Sequence, residues 1–315
     1  MGFATAAGRR YRGVALRRCR ARLALVDETL LSFMSQVTVR IPASTSNLGP
    51  GFDCLGLALK LYNRVTIRRD DASNAPKIAR EAAQLFFKKA KRKSFRFACT
   101  MSDHIPQRRG LGSSASVRAG ILVGLNDLAG KPLHELELFE LCSDLEGHPD
   151  NAAPALFGGF TVSNETGVQR FDVGRHLRCV LLVPELEVET KKARRILSKQ
   201  ISLPRAIGNI CGASTITAAF VSQDYEAARG AFGDSVHQPA RTKLVPFLPR
   251  VIAAAEKAGA IGAFLSGSGS TIAAVATSNA DRIARSMRRA GPTKARIIIV
   301  ATENTGAFGG ISRRR

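Results

Sequence analysis

The chain has 315 residues, 45% of them apolar and 23% charged, which is enough to bury a sizeable core and too hydrophobic for compositional disorder. With 47 basic against 25 acidic residues the formal charge is +22, which favours anionic ligands of any kind. Neither zinc-finger spacing nor an aromatic–basic signature accompanies that charge, and no run reaches 18 apolar residues, so specific nucleic-acid and membrane partners are not expected.

Residues 1–33 carry seven arginines against Asp27 and Glu28 and lack the apolar core of a secretory signal. They are expected to be a disordered or spurious extension ahead of a natural start at Met34. The six cysteines (Cys19, Cys54, Cys99, Cys142, Cys179, Cys211) are scattered without a C-x-x-C pair, the pattern of reduced thiols in a cytoplasmic protein. Val37–Ile41, Tyr62–Arg68 and Phe95–Thr100 alternate like strands. Between the last two, Lys77–Lys93 places Ile78, Ala82, Leu85, Phe86 and Ala90 on one helical face. A second helix is expected over Ser113–Leu128, and a third after Pro132, ending by Gly147-His148-Pro149. Gly159–Ser163 and Cys179–Val183 read as strands, Lys191–Lys199 and Leu248–Ala258 as helices. The tail continues with strands Ala263–Ser266 and Ile272–Thr277, a helix Ala280–Ala290 capped by Asn279 and stopped at Gly291, and a strand Arg296–Ala301. Strands and helices mix without strict βαβ order, so the class is α+β, with a domain change near residues 170–178.

The most informative segment is Pro106-Gln-Arg-Arg-Gly-Leu-Gly-Ser-Ser-Ala-Ser116, between a strand and a helix. Gly110 and Gly112 allow positive φ and close approach to a ligand, and Ser113, Ser114 and Ala115 open a helix whose free N–H groups make a phosphate cradle. It is neither a Walker A loop, having no Gly-Lys-Ser/Thr, nor a three-glycine dinucleotide fingerprint.

This segment resembles the ATP loop of the GHMP kinases, and two further segments match that family in order. Pro42-Ala-Ser-Thr-Ser-Asn-Leu-Gly-Pro-Gly-Phe-Asp-Cys-Leu-Gly56 resembles its first motif, and Gly262-Ala-Phe-Leu-Ser-Gly-Ser-Gly-Ser-Thr271 its third, a loop that braces the ATP loop. The departures are Ser116, where a second alanine is common, and Ser270, where proline is common. The resemblance spans about residues 35–302. It implies a two-domain fold, with a ribosomal protein S5 domain 2-like N-terminal domain at 34–175 and a ferredoxin-like C-terminal domain at 176–315. It also implies ATP and Mg²⁺ as cofactors, a small-molecule substrate and a possible homodimer. In this reading Pro106, Gln107, Arg108, Arg109, Gly110, Leu111, Gly112, Ser113, Ser114, Ala115 and Ser116 bind the nucleotide.

Asn47–Asp53 and Glu146-Gly-His-Pro-Asp-Asn-Ala-Ala-Pro154 are similar to the family members that phosphorylate homoserine, for threonine biosynthesis. An amino-acid substrate needs an acid for its ammonium, a cation for its carboxylate and polar donors beside its hydroxyl. Asp53 is the candidate for the ammonium, with Asn47 beside it. By resemblance Arg194 and Arg241 supply the guanidinium pair suited to a carboxylate. His148, Asp150 and Asn151 form the substrate-side loop, and no metal-ligand spacing accompanies His148. Ser114 and Glu146 are the Mg²⁺ ligands by resemblance, with Glu140 as the alternative carboxylate. Asp150 is expected to organise substrate first and serve as base second. Two other readings stay open at this point: a GHMP kinase for mevalonate, shikimate or a sugar, and a non-catalytic binding protein on the same fold.

Overall fold

The computed structural model describes residues 35–70, 75–164 and 167–314. The expected extension at 1–33, with Cys19, lies outside the described residues. Two antiparallel sheets carry the architecture, in keeping with the α+β expectation. The first is built on a long hairpin, β1 (Gln36–Ser46) and β2 (Leu55–Arg69), whose register shifts between Pro42 and Ala43, where proline has no N–H to give the ladder. Further strands are β3 (Phe97–Ser102), β4 (Phe160–Asn164), β5 (Gly167–Phe171) and β10 (Ile311–Arg314), in the order β10-β1-β2-β4-β5 with β3 on β2. The length of β2 serves two partners: Arg64–Arg69 pairs with β3, and Leu55–Leu57 with β4. The last strand, β10, returns to pair with β1, so this sheet draws on both ends of the described chain.

Four helices belong with this sheet: α1 (Lys77–Ala90), α2 (Ser113–Leu128), α3 (Glu135–Glu146) and α4 (Ala152–Phe157). Val37, Val39 and Ile41 of β1 and Val65 and Ile67 of β2 share a core with Phe86, Ile121, Leu122, Leu125 and Phe139. α2 is buried on nearly every side, which is why its sequence carries so little polarity. α3 starts three residues after Pro132: Glu137 accepts the His134 N–H at 2.9 Å, so a capping box sets the boundary, not the proline.

The second sheet has the order β7-β8-β6-β9, formed by β6 (Arg178–Pro184), β7 (Gly262–Leu265), β8 (Ile272–Ala276) and β9 (Ala295–Ala301). Five helices complete the fold: α5 (Thr190–Arg195), α6 (Leu203–Ser222), α7 (Gln238–Arg241), α8 (Leu248–Lys257) and α9 (Ala280–Ala290). α8 and α9 cover one face of this sheet, with Val251, Ile283 and Met287 against Val180, Leu182 and Ala274. The other face shares its core with the inner ends of β1 and β2, where Leu55, Leu57 and Phe160 meet Leu181, Phe220 and Phe264. That shared core fixes the two sheets against each other and places loops from both at one seam.

Three local expectations change. α6 is a twenty-residue helix that periodicity does not reveal, and α5 stops at Arg195, short of Lys199. Asn279 precedes α9 in the left-handed region (φ 57°) without capping it, its side chain bonded to Ser278. No helix among the described residues is long and apolar enough to cross a membrane.

Candidate active site

Loops from both sheets close on a cavity of about 410 Å³. One wall is the turn into α2. Gly110 and Gly112 both have positive φ (72° and 67°). A Cβ on Gly110 would stand 2.0 Å from the Ser266 carbonyl oxygen, and one on Gly112 would stand 2.0 Å from Ser44 Oγ. Only glycine fits either place. The bend aims the start of α2 at the cavity; the first helical bond runs from the Ser116 N–H to the Gly112 carbonyl, so the N–H groups of Ser113, Ser114 and Ala115 precede the ladder. With the helix dipole they form a cradle for an anion. The glycine-rich 266–271 loop braces this turn: Ser266 Oγ donates to the Gly110 carbonyl at 2.6 Å, and the Thr271 N–H donates to the Arg109 carbonyl at 3.1 Å.

At the first turn of α2, Ser114 Oγ donates to Glu146 Oε1 at 2.8 Å, and Arg118, one turn on, places Nη1 on that same oxygen. A hydroxyl and a carboxylate oxygen facing one cavity, with a cation already drawn to them, suit a hard divalent ion that takes oxygen ligands. Glu140 stands elsewhere, ion-paired with Lys89 at 3.1 Å and absent from the cavity lining.

The loop before α4 supplies His148, Asp150 and Asn151. His148 Nδ1 donates to Asp150 Oδ1 at 2.7 Å. Asn151 Oδ1 accepts from Ser44 Oγ at 2.8 Å, and its Nδ2 donates to Ser46 Oγ at 2.9 Å. Burial works to depress the His148 pKa, but the bond to Asp150 and its charge outweigh burial and hold the imidazole above its ordinary value. Burial likewise works to raise Asp150, and the bond and charge of His148 with the Ser46 bond bring it below the ordinary carboxylate range. Each thus favours the ionised form of the other.

The β1–β2 turn brings the remaining acid. Asn47 Oδ1 accepts the Asp53 N–H at 3.0 Å, and Asn47 Nδ2 donates to the Gly267 carbonyl at 3.1 Å. Arg194, from α5, forks onto Asp53, Nη1 to Oδ2 at 2.9 Å and Nη2 to Oδ1 at 2.6 Å. Arg241, from α7, is only 2% exposed; its Nη1 donates to the Gly267 carbonyl at 2.9 Å and approaches His237 Nδ1 at 3.2 Å. Both guanidinium carbons lie over the Phe52 ring, at 5.5 Å for Arg194 and 5.3 Å for Arg241. Burial, reinforced by the Arg194 charge, lowers the Arg241 pKa to about 10, so the site holds one partly exposed and one buried cation.

Of the sequence candidates, Asn47, Asp53, Pro106, Arg108, Gly110, Leu111, Gly112, Ser113, Ser114, Glu146, His148, Asp150, Asn151, Arg194 and Arg241 all line this cavity. Gln107, Arg109, Ala115 and Ser116 do not: Gln107 bonds Asp103, Arg109 bonds the Pro184 carbonyl, and Ser116 accepts from Asn63 deep behind the loop. The donor atoms of Asp53, His148 and Asp150 also lie within 4.8 Å of one another, but each is engaged, Asp53 by Arg194 and the other two by each other. Sequence reasoning missed Ser46, Phe52, Thr190 and Lys191 on the lining and Arg118 and His237 behind it. Ser46 and Phe52 sit inside the quoted 42–56 motif, and Thr190 and Lys191 open the helix α5 that carries Arg194. Arg118 lies one helical turn from Ser114, the signal that could have found it. His237 left no signal in the sequence.

The GHMP kinases N terminal domain model matches residues 77–159, and the GHMP kinases C terminal model residues 216–293. A homoserine kinase from Clostridium beijerinckii is 36% identical over 291 residues, covering 86% of this chain and 97% of its own. The crystal structure of homoserine kinase from Cytophaga hutchinsonii superposes with a TM-score of 0.78 at 26% identity, covering 89% of this chain and 98% of that one. The mevalonate kinase of Methanococcus jannaschii shares the fold, with a TM-score of 0.64 at 16% identity over 84% of this chain and 98% of its own.

Proposed function

We propose that this chain, which belongs to the homoserine kinases of the GHMP kinase family, transfers the γ-phosphoryl group of ATP to the side-chain hydroxyl of L-homoserine, giving O-phospho-L-homoserine in threonine biosynthesis. The observation that carries it is the juxtaposition, in one cavity, of an anion cradle at the start of α2 with a carboxylate and two guanidinium groups, the charges that a zwitterionic substrate calls for.

The start of α2 supplies N–H donors and the positive end of a helix dipole for the triphosphate, and the reaction depends chiefly on such positioning and charge neutralisation. Ser114 and Glu146 would hold Mg²⁺, which neutralises phosphate charge when bound. Arg118 keeps the Glu146 carboxylate turned toward Ser114. Asp53 and Arg194 are both about one-third exposed, so their mutual bond is worth little in water and yields readily to a ligand offering an ammonium to one and a carboxylate to the other. Arg241 completes the carboxylate site from below. His237 holds it there: its Nε2 donates to the Gly49 carbonyl at 2.9 Å, leaving Nδ1 as the acceptor for Arg241. Burial drives the His237 pKa down to about 4, so the ring is neutral at physiological pH and able to accept.

Asp150 organises the substrate side. A general base works best with a pKa near the working pH, whereas this carboxylate is buried, engaged by His148 and shifted below the ordinary range. The chain is further read as a homodimer working in the cytoplasm, with residues 34–175 carrying the nucleotide loop and 176–315 supplying both arginines and the bracing loop. A mevalonate or sugar specificity is not favoured, because neither substrate answers the paired Asp53 and Arg194. The test is ADP release over a panel of alcohols: homoserine is expected to turn over far faster than mevalonate, shikimate or galactose, and activity with one of those but not homoserine would overturn the reading.

A further inference from the structure

Arg241 is a buried cation with no acid in bonding contact among the described residues. Its guanidinium donates to the Gly267 and Ala193 carbonyls and meets the ring nitrogen of His237. Its charge is offset from a distance, by Asp53, Asp150 and Asp234. Asp53 and Asp150 already face Arg194 and His148. Asp234 has no such cation: its neighbour His237, with Nε2 at 3.6 Å, is a neutral ring.

The Asp234 side chain is wholly buried, and four donors fill its two oxygens. Oδ1 accepts from Asn209 Nδ2 at 2.8 Å and from the Val236 N–H at 2.9 Å. Oδ2 accepts from the His237 N–H at 3.0 Å and from the Gln238 N–H at 2.6 Å. Three of the four belong to the backbone leading into α7, so this carboxylate fixes where the helix starts and how Arg241 is presented. The fourth comes from α6, and Asn209 carries the connection onward. Its Nδ2 also donates to the Pro50 carbonyl at 3.2 Å, and its Oδ1 accepts the Ser235 N–H at 2.9 Å. His237 holds the preceding carbonyl, that of Gly49, at 2.9 Å. A Cβ on Gly49 would stand 2.2 Å from the Phe232 carbonyl oxygen, so the turn lies directly against this segment. Residues 232–241 are thereby tied to the middle of the 47–53 turn at two successive carbonyls, and that turn ends in Asp53.

We infer that Asp234 is the positioning residue of the amino-acid site: it locks α7, with Arg241, to the 47–53 turn, with Asp53, and so sets the separation at which the cavity takes an ammonium and a carboxylate together. On the reading of this cavity as a homoserine site, that separation selects a substrate bearing both charges on one carbon. A carboxylate suits the place because it only accepts, and all four of its bonds are used; an amide would turn an NH₂ group toward two donors in either orientation. The substrate then meets groups already held in place and does not have to order them.

The experiment compares kcat/KM for L-homoserine with that for 3-aminopropan-1-ol, which keeps the amine and the hydroxyl but has no carboxylate. The enzymes are wild type, Asp234→Asn and Asn209→Ala. In Asp234→Asn the KM for homoserine is expected to rise about tenfold or more, with kcat within about threefold and Mg-ATP affinity unchanged. The preference for homoserine over the amino alcohol should fall by about tenfold, because only homoserine uses the fixed separation. Asn209→Ala, which cuts the tie to Pro50 and leaves Asp234 its backbone donors, should lower that preference in the same direction, and it decides the matter if Asp234→Asn does not fold. A folded variant that loses activity toward both substrates in equal proportion overturns the positioning role while homoserine kinase activity stands. Wild-type protein that does not turn over homoserine overturns the homoserine reading, and the positioning role falls with it.

Discussion

Gly112→Ala tests the loop most sharply, because its cost can be worked from neighbouring atoms. The new methyl would occupy a position 2.0 Å from Ser44 Oγ and 3.1 Å from Asn151 Oδ1, on a backbone at φ 67°. Holding alanine in the left-handed region costs about 1 kcal/mol. Ser44 must swing away, breaking its buried 2.8 Å bond to Asn151 and leaving an acceptor unsatisfied, for roughly a further 2 kcal/mol. The sum of about 3 kcal/mol corresponds to a fall in Tm of roughly 5 °C for a chain of this size. Gly230→Ala is the control: its φ is 83° but nothing lies within 4 Å of the added Cβ, so only the backbone strain of about 1 kcal/mol applies. Scanning calorimetry should separate the two variants, and titration calorimetry should show Mg-ATP binding weakened at least about tenfold in Gly112→Ala alone. Equal Tm shifts in the two variants, with unchanged nucleotide affinity, would refute the close packing argued for this turn.

Three other outcomes are expected. Arg241→Lys loses the planar fork over Phe52, so the KM for homoserine should rise by about tenfold or more while Mg-ATP affinity holds; parallel loss of both would show a general collapse of the site. Asp150→Asn should keep most of the turnover and leave the pH–rate profile in place, and loss of one limb of that profile would restore the base role. The His148–Asp150 pair has a signed pH dependence. His148 is raised above 6.5, so its contribution is present below that value and lost as pH rises through the folded pKa. Asp150 is lowered below 3.8, so its contribution is present above that value and lost as pH falls through the depressed one. The Tm difference between wild type and His148→Gln should be greatest between these limits and shrink on the alkaline side. A difference independent of pH would mean the pair is not ionic.

The parts of the fold written in alternation or amphipathicity were legible in the sequence. β1, the outer half of β2, α1 and α9 each expose one face to water, so charge marks their period. The inner half of β2, Leu55–Leu59, is buried by the second sheet on the face of Leu55, Leu57 and Leu59, and on the other face Gly56 lies against Asp150 and Pro154, so it reads as an unbroken apolar run. α6 was invisible for the opposite reason: its exposed face is nearly as apolar as its buried one, so no polar stripe sets a period. The loop residues could be read because glycine and serine have local uses there, and the arrangement of Asp53, Arg194 and Arg241 around one cavity accords with a family motif. Arg118 and His237 act on other side chains across packed elements, and no local pattern records such contacts.

The most direct measurement is phosphorus NMR of a reaction containing the purified chain, Mg-ATP and L-homoserine. The account predicts equal growth of ADP and of a phosphate ester split by two protons of the substrate's terminal methylene. Release of inorganic phosphate alone, or no consumption of ATP by well-folded protein, would contradict it.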